Sequence, residues 1–453
     1  MPRPDNPASK PSSGGSSGGI PKSDWSGKWG NPPITTLDSL KKHLHFAMAI
    51  ELSTIPLYLY AMYSIKLPAN KIKDPRFWDP VTGAIRSIVA EEMLHLTLAG
   101  NVLKAVGGTP KLYAQTCDDV KIFPTYKMVM PGRVPKLEMK LRQAIKPNFD
   151  TFLGIELPQG RNDPPVGADE YHTLGQFYEG VKDGLKYLAG DMGEQKLFDR
   201  ESLPYQFAPG IGYQPRIQNA GGSIVVKDLK TSLEALDVIV EEGEGRDSEF
   251  AGDERAHYFV FKDLMEGSLT WEVYNVPEDP TTEWYAELGL RQIYHVSRTF
   301  DAAYCYLLLT IEKLWTMSEE EERRKLVLAN MYSLMLGILA PLAKLLVTQP
   351  LNDGTDRVAA PCFCWYDFKA GQGTPFKQLR AEMKATMFSY VQVAAETDDQ
   401  VVEHDFGNQI ETLLPIQTAL DNMMDIDTYE PPTGKITRKG LNVAHTQGFK
   451  GFA

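Results

Sequence analysis

The stretch VAEEMLHLTLAGNVLKAVGG, residues 89–108, reads as a buried helix that carries two carboxylates and a histidine within its apolar part. Apolar residues recur along it at alternating spacings of three and four, which is typical of the inward face of a bundle helix. Glu92 and His95 occupy neighbouring positions on that face, about one turn apart. Glu91 lies about 100° around the helix and is predicted to be solvated or to support the inward pair from behind, with a contact to His95 also within reach.

A second E-x-x-H pair, Glu254 and His257, stands in the segment DERAHYFVFKDL and also falls on an apolar seam. Glu51 lies on the inward face of an earlier helical segment, FAMAIELSTIPLYLY, which offers it no basic partner nearby. An unpaired ion in a protein core costs on the order of several kcal/mol. Charged groups on three inward faces therefore need a common partner.

These residues match a carboxylate-bridged dimetal pattern of four-helix bundles, in which two helices each contribute a Glu and two others each contribute an E-x-x-H pair. Divalent cations would neutralise the carboxylates and take the imidazoles as ligands. We therefore predict a metal site that includes Glu51, Glu92, His95, Glu254 and His257.

The last helical carboxylate has two equal candidates. Glu179, in QFYEGVKDGL, lies about 100° away from the apolar stripe of its helix. Glu241 ends the apolar run of VIVEEGEG and is positioned to project inward. Glu242 and Glu244 are rivals in the same segment, with Glu244 ranked behind. The remaining histidines that we considered are interpreted as structural: His43, His45, His172 and His295.

Helical periodicity dominates the chain, so we predict a mainly α fold. The expected architecture is a ferritin-like four-helix bundle with long irregular insertions and an additional C-terminal helical region. Residues 1–35 are expected to form a disordered Gly/Ser-rich tail, 36–275 the metal-binding bundle, 276–428 a helical region packed on the bundle, and 429–453 a second tail. Strand signals are weak, and GSIVVKDL at 222–229 is the best of them.

Composition excludes several classes of function. The chain has 453 residues with 47 Lys and Arg against 59 Asp and Glu, a net charge of −12, and no basic run with interleaved aromatics. We therefore expect no nucleic-acid or membrane partner. Four cysteines make no disulfide framework, and no apolar signal segment opens the sequence, which favours a cytoplasmic protein. The apolar stretch 326–347 is interrupted by Asn330, Pro341 and Lys344 and is predicted to be a buried core helix.

At these motifs the sequence resembles the ferritin-like proteins typified by iminophenyl-pyruvate dimer synthases, the enzymes of violacein and rebeccamycin-type pathways that couple two amino-acid-derived imines. The matching segments lie within 36–365 and include ELSTIPLYLYAMYSI, IVAEEMLHLTLAGNVLKAVGGTP, TLGQFYEGV, VEEGEG, ERAHYFVFKDL and LAPLAKLLVTQPLNDGT. The resemblance implies metal binding by Glu51, Glu92, His95 and His257, with Glu254 and the EEGEG carboxylates contributing. Gln176 departs from the pattern, since some relatives carry Glu there.

The resulting functional hypothesis is a non-haem di-iron enzyme, an oxidase or oxygenase with O₂ as cosubstrate and two iron ions per chain. Its substrate is expected to be a small, amino-acid-derived organic molecule of specialised metabolism, with oxidative coupling of imines as the narrower expectation. A ferroxidase or iron-handling protein is the alternative, followed by a non-catalytic scaffold with vestigial ligands. A homo-oligomer is compatible with all three.

Overall fold

The computed structural model describes residues 34–67, 79–158, 170–209, 222–243, 256–396 and 400–428, without the side chains of 393–406. The fold is mainly α, as predicted. The predicted tails, apart from Ile34 and Thr35, lie outside the described residues, as do Glu244 and Glu254.

Four long helices close into a ring that forms the bundle. Helix α1 packs on α2, α2 on α6, α6 on α4, and α4 back on α1. Their bounds are Leu37–Tyr63 for α1, Pro80–Ala105 for α2, Leu174–Met192 for α4 and Leu229–Gly243 for α6.

Local chemistry explains where these helices begin and end. The Asp79 carboxylate accepts hydrogen bonds from the N–H groups of Val81 and Thr82, both at 3.0 Å, and Pro80 occupies the first turn of α2. Side-chain acceptors of this kind satisfy the unpaired N–H groups at a helix start. Gly107, at a φ of 73°, takes the left-handed conformation that stops α2.

The region between α2 and α4 is more ordered than its composition suggests. It holds two short antiparallel hairpins and helix α3, Lys146–Ile155, which packs against α7, His257–Glu266. The hairpin strands are β1 Thr116–Cys117 with β2 Val120–Lys121, and β3 Met128–Val129 with β4 Glu138–Met139. Rather than covering the surface, this insertion supplies part of the core, through Phe149 and Phe152.

The weak strand signal at 222–229 does not correspond to a strand. Residues 223–228 have no regular secondary structure, and α6 begins at Leu229. The side-chain amide of Gln206 replaces a neighbouring strand there, because it accepts from the N–H of Val226 at 2.7 Å and donates to its carbonyl at 2.8 Å. The backbone polar groups of Val226 are thereby satisfied without a sheet.

Further helices lie outside the four-helix ring, two of them short helices between α4 and α6 and the rest after α7. Their bounds are α5 Glu194–Leu197, a 3₁₀ helix Arg200–Tyr205, α8 Thr282–Glu287, α9 Arg291–Leu314, α10 Glu322–Tyr332, a π-helical stretch Ser333–Leu339, α11 Ala340–Leu346, α12 Pro375–Glu396 and α13 Gln400–Asp421. Glu312 on α9 accepts the N–H groups of Leu112 and Tyr113 at 2.5 and 2.7 Å, which ties the insertion to this region.

Among the described residues, two helical runs are long and apolar enough to cross a membrane by length and composition. The first, Leu37–Tyr63, is 89% buried over its apolar window, as expected for a core helix. The second, Glu322–Leu346, is 44% buried over its apolar window. Only part of this run therefore lies in the core, where all of it was predicted to lie. Its π-helical stretch directly precedes Pro341, where proline removes a backbone hydrogen bond.

Trp315, which follows α9, joins the C-terminal region to the back of α2. Its indole N–H donates to Asn101 at 3.1 Å, and its ring lies against Gly100. A Cβ atom at Gly100 would lie 2.3 Å from the indole ring. Only glycine therefore allows this close approach between the two regions.

Gly100→Ala should lower the free energy of unfolding by about 1–3 kcal/mol, because the added methyl group overpacks a buried indole. Gly180→Ala is the matched control, since a Cβ at Gly180 in α4 would meet nothing within 4 Å. The control should gain about 0.5–1 kcal/mol from helix propensity. Chemical denaturation of both variants measures the difference, and equal stability would contradict the assigned packing.

Candidate metal centre

Seven ionisable side chains meet inside the bundle, and none of them is more than 9% exposed. They are Glu51 on α1; Glu91, Glu92 and His95 on α2; Glu156, which caps the end of α3; Glu242 near the end of α6; and His257, the first residue of α7. A ligand atom from each of Glu92, His95 and His257 lies within 4.8 Å of the others. The spacing predicted from the sequence thus places these three together.

One half of the cluster is built around His257. Its Nε2 lies 2.7 Å from Glu91 Oε2, so the N–H there donates to the carboxylate. Its Nδ1 is buried without a hydrogen-bond partner, although Glu92 Oε1 lies at 2.9 Å and Glu156 Oε2 at 3.6 Å. A nitrogen lone pair facing two carboxylate oxygens is repulsive unless a cation or proton lies between them.

The other half repeats this arrangement around His95. Its Nε2 lies 3.1 Å from Glu242 Oε2, and its Nδ1 faces Glu51 Oε2 at 3.7 Å and Glu92 Oε1 at 3.9 Å. The two imidazoles stack with ring centroids 5.4 Å apart. Glu92 Oε1 therefore faces the Nδ1 atoms of both rings, so Glu92 would be shared between two ions bound there.

Hydroxyl groups hold the inner carboxylates in place. Thr54 donates to Glu92 Oε2 at 2.8 Å, and Tyr58 donates to Glu156 Oε1 at 2.5 Å. Tyr178 on α4 donates to Glu51 Oε1. Burial, followed by the adjacent carboxylates, raises the pKa values of both tyrosines well above their ordinary range. Both phenols consequently stay protonated and remain donors at neutral pH.

The electrostatics of the cluster call for a positive charge. Burial, reinforced by repulsion from Glu156, raises the pKa of Glu92 to about 7 despite the opposing effect of His257. Burial disfavours a charged imidazole, but the Glu242 and Glu51 carboxylates outweigh it and raise the pKa of His95 to about 10. Both shifts have the same origin, because five carboxylates share a dry interior with only two imidazoles.

The residues present fit a pair of divalent cations. Each imidazole donates one N–H to an outer carboxylate and turns its other nitrogen toward inner carboxylates, as metal-ligating histidines do. Gly243 keeps space beside the inner ligands, since a Cβ there would come within 3.3 Å of Glu156 Oε2. Glu51, Glu92, Glu156, His95 and His257 would hold the ions, and two divalent charges would balance four of the five carboxylates.

Two predicted ligands lie elsewhere. Tyr178, not Glu179, faces Glu51, and Glu179 is half-buried on the neighbouring side of α4, about 100° away. Glu241 is exposed, whereas the adjacent Glu242 is buried and contacts His95. Both corrections arise from helix phase, because one residue of shift moves a side chain off the inward face.

The sequence pattern did not predict Glu156 as a member of this cluster. Its signal is the segment FLGIEL at 152–157, where a lone carboxylate stands in an apolar run outside any long helical pattern. Gln176 is buried, and its side chain is engaged with the backbone instead of the cluster, since its Oε1 accepts a hydrogen bond from the N–H of His172 at 2.8 Å. Glu91, which was expected to support the inward residues, contacts His257 and not His95.

A groove of about 270 Å³ opens away from the centre. Ala49 of α1 lines it together with residues 121–124, 127–129 and 131. Ala49 and Glu51 are two positions apart and therefore about 200° apart around the helix axis. The groove and the carboxylate cluster lie on opposite sides of α1.

Glu92→Gln should abolish binding of at least one of two ferrous ions, because it removes the negative charge shared by both halves while keeping the side-chain shape. Glu179→Gln is the matched control and should retain both ions, since Glu179 lies off the cluster. Anaerobic Fe²⁺ titration with elemental analysis measures the stoichiometry. Equal metal content in the two variants would refute the assignment.

Glu91→Gln should weaken metal binding about 10–100-fold without changing the stoichiometry, because the lost carboxylate orients His257 rather than coordinating metal. The exposed Glu241 provides the comparison, and Glu241→Gln should leave the affinity unchanged. Competition with a metal-binding chromophore gives both affinities. An unchanged affinity for Glu91→Gln would argue against this supporting role.

The chain is similar to known proteins over part of its length. Residues 44–266 match the Ferritin-like family model. The chain is similar to dichlorochromopyrrolate synthase from Lentzea aerocolonigenes, with 28% identity over 392 residues that cover 73% of this chain and 36% of that protein. It thus spans about a third of the length of this relative.

A crystal structure of a ferritin-like protein from Caulobacter vibrioides is also similar, with 22% identity, a TM-score of 0.44, and coverage of 66% of this chain and 94% of the other. Residues 44–266, which carry the carboxylate and histidine cluster, form a ferritin-like domain.

Proposed function

We propose that this protein is a non-haem di-iron oxidoreductase that uses O₂ to oxidise a small, amino-acid-derived substrate. The observation that carries the proposal is the pair of matched halves, each with an imidazole Nδ1 facing carboxylates, joined at Glu92 Oε1. Mixed imidazole and carboxylate ligands suit iron, and bundles of this type hold two such ions. When bound, the two ferrous ions would supply electrons for the reduction of O₂.

The surroundings of the cluster favour oxidation over simple metal storage. Tyr58 packs edge-on to Phe152 with ring centroids 4.7 Å apart, and Phe261 lies 5.0 Å from both rings. These aromatic side chains form an apolar wall directly beside Glu156. Such a wall restricts the access of water, which would otherwise compete for reactive species.

The chain's own residues can hold protons at defined atoms during such chemistry. The Tyr178 hydroxyl stays protonated against Glu51, and the Tyr58 hydroxyl does so against Glu156. We therefore assign Glu92 the role of a ligand shared by both halves, and the two phenols the role of orienting Glu51 and Glu156.

The substrate class is our inference from a similar protein. The name of that protein, dichlorochromopyrrolate synthase, supports a biosynthetic reaction on a small organic molecule. Within this class, oxidative coupling of two imines derived from amino acids is our specific proposal. The four free cysteines favour a reducing compartment, and we propose the cytoplasm.

The test loads the purified protein anaerobically with two equivalents of Fe²⁺ and then admits O₂, with and without 2-imino acids generated in situ from an aromatic amino acid. O₂ uptake should rise with substrate and yield a product containing two substrate units, as seen by mass spectrometry. Glu92→Gln should lose this activity, and Glu179→Gln should retain it.

Two results would overturn the proposal. Uptake of O₂ in proportion to added iron alone, with accumulation of ferric mineral, would identify an iron-handling protein. A folded chain that binds no iron would identify a scaffold with vestigial ligands.

A further inference from the structure

A second group of metal-ligating side chains lies outside the carboxylate cluster. His45 on α1, Cys117 at the end of β1 and Asp118 in the following turn each offer one ligand atom, and these atoms lie within 4.8 Å of one another. We propose that these three residues bind one zinc ion in a site separate from the di-iron centre. The fourth coordination position would be taken by water.

The imidazole of His45 is arranged for this role. It is only 3% exposed, and its Nε2 lies 3.1 Å from the carbonyl oxygen of Thr109, so Nε2–H donates to the backbone. Its Nδ1 is buried without a hydrogen-bond partner, and Asp118 Oδ2 lies 3.0 Å away but off the hydrogen-bonding direction. A neutral imidazole that donates one N–H to a carbonyl and turns its other nitrogen toward a carboxylate is the usual state of a metal-ligating histidine.

The thiol lies beside the same ring. Cys117 Sγ is 3.7 Å from His45 Nε2, the nitrogen that faces Thr109, so the thiol must turn toward Nδ1 to share an ion with Asp118. The antiparallel pairing of Cys117 with Val120 and the left-handed backbone of Asp118 and Asp119, at φ of 49° and 62°, hold the hairpin turn next to α1. The turn thereby presents sulfur and carboxylate oxygen to one imidazole.

The mixture of ligand atoms selects the ion. Magnesium and calcium prefer oxygen ligands, whereas zinc accepts nitrogen, sulfur and oxygen in one tetrahedral set. Zinc–ligand bonds of about 2.0–2.3 Å place neighbouring ligand atoms about 3.3–3.8 Å apart. The Asp118 side chain is 54% exposed, so it can adjust toward the ring, and it leaves a solvent-facing side for water. Binding would release the thiol proton to solvent, because zinc takes the thiolate.

The proposed site is independent of the proposed di-iron centre. His45 and Glu51 are six positions apart on α1, which separates them by about 9 Å along the helix axis and by about 240° around it. The carboxylate cluster contains no sulfur ligand. A sulfur-specific signal therefore cannot come from the carboxylate cluster, whichever metal the bundle interior holds.

Cobalt(II) is the probe, because thiolate coordination to Co²⁺ gives a charge-transfer absorption in the near ultraviolet that imidazole and carboxylate ligands do not give. Full-length protein is stripped with a chelator and titrated with Co²⁺. We expect this band to grow to saturation and to be displaced by Zn²⁺. Cys117→Ser should abolish it.

The controls separate this site from the rest of the molecule. Cys364→Ser, at a half-buried cysteine of the C-terminal region, should keep the full band. Glu92→Gln should also keep it while losing iron, so failure of the proposed function leaves this test intact. Asp118→Asn should weaken Zn²⁺ binding at least about tenfold, and Asn still tolerates the left-handed backbone.

Two outcomes would overturn the zinc site. A folded wild-type protein that gives no thiolate band would show that the three side chains form only a hydrogen-bonded group. A band that persists in Cys117→Ser would assign the sulfur ligand to another cysteine. X-ray absorption of the zinc-loaded protein, with or without a Zn–S distance, gives the same decision without any substitution.

Discussion

The interaction on which the structure depends is the mutual repulsion of carboxylates held in an apolar interior. Glu51, Glu91, Glu92, Glu156 and Glu242 share this space with two imidazoles. Hydroxyl donors and imidazole N–H groups satisfy part of their hydrogen-bonding capacity, but they leave the inner oxygens facing one another across the Nδ1 atoms. Removing charge from water without compensation is unfavourable, so a pair of cations is the simplest complement to this arrangement.

The elements around the cluster can be understood as supports for those carboxylates. Helix α2 contributes three of the seven ionisable groups, and α1, α4 and α6 surround it with further carboxylates and hydroxyl donors. Helix α3, from the insertion, closes the remaining side by placing Glu156 against His257. The insertion is thus part of the centre's construction, which explains why it packs with the core although its sequence lacks long helical periodicity.

Much of this centre could be predicted from the sequence, and the exceptions have physical causes. Glu51, Glu92, His95 and His257 stand on apolar seams, where periodicity fixes the direction of a side chain. Phase is less certain near a helix end, so the adjacent residues Glu241 and Glu242 could not be distinguished. In α4, Tyr178 takes the inward position, and its hydroxyl donates a hydrogen bond to a carboxylate of the cluster. Glu156 follows a short helix in a non-periodic segment, where no pattern indicates that the chain returns to the core.

The contact between Gly100 and Trp315 makes helix α2 depend on the C-terminal region. Helix α2 presents its ligands to one side and a bare strip of backbone to the other, and the indole fills that strip. This helix is therefore held on its other side by a side chain more than two hundred positions away in the sequence. Loss of the distal helices would expose the back of α2 at Gly100, so the half that carries the carboxylate cluster could not be excised intact without resurfacing α2.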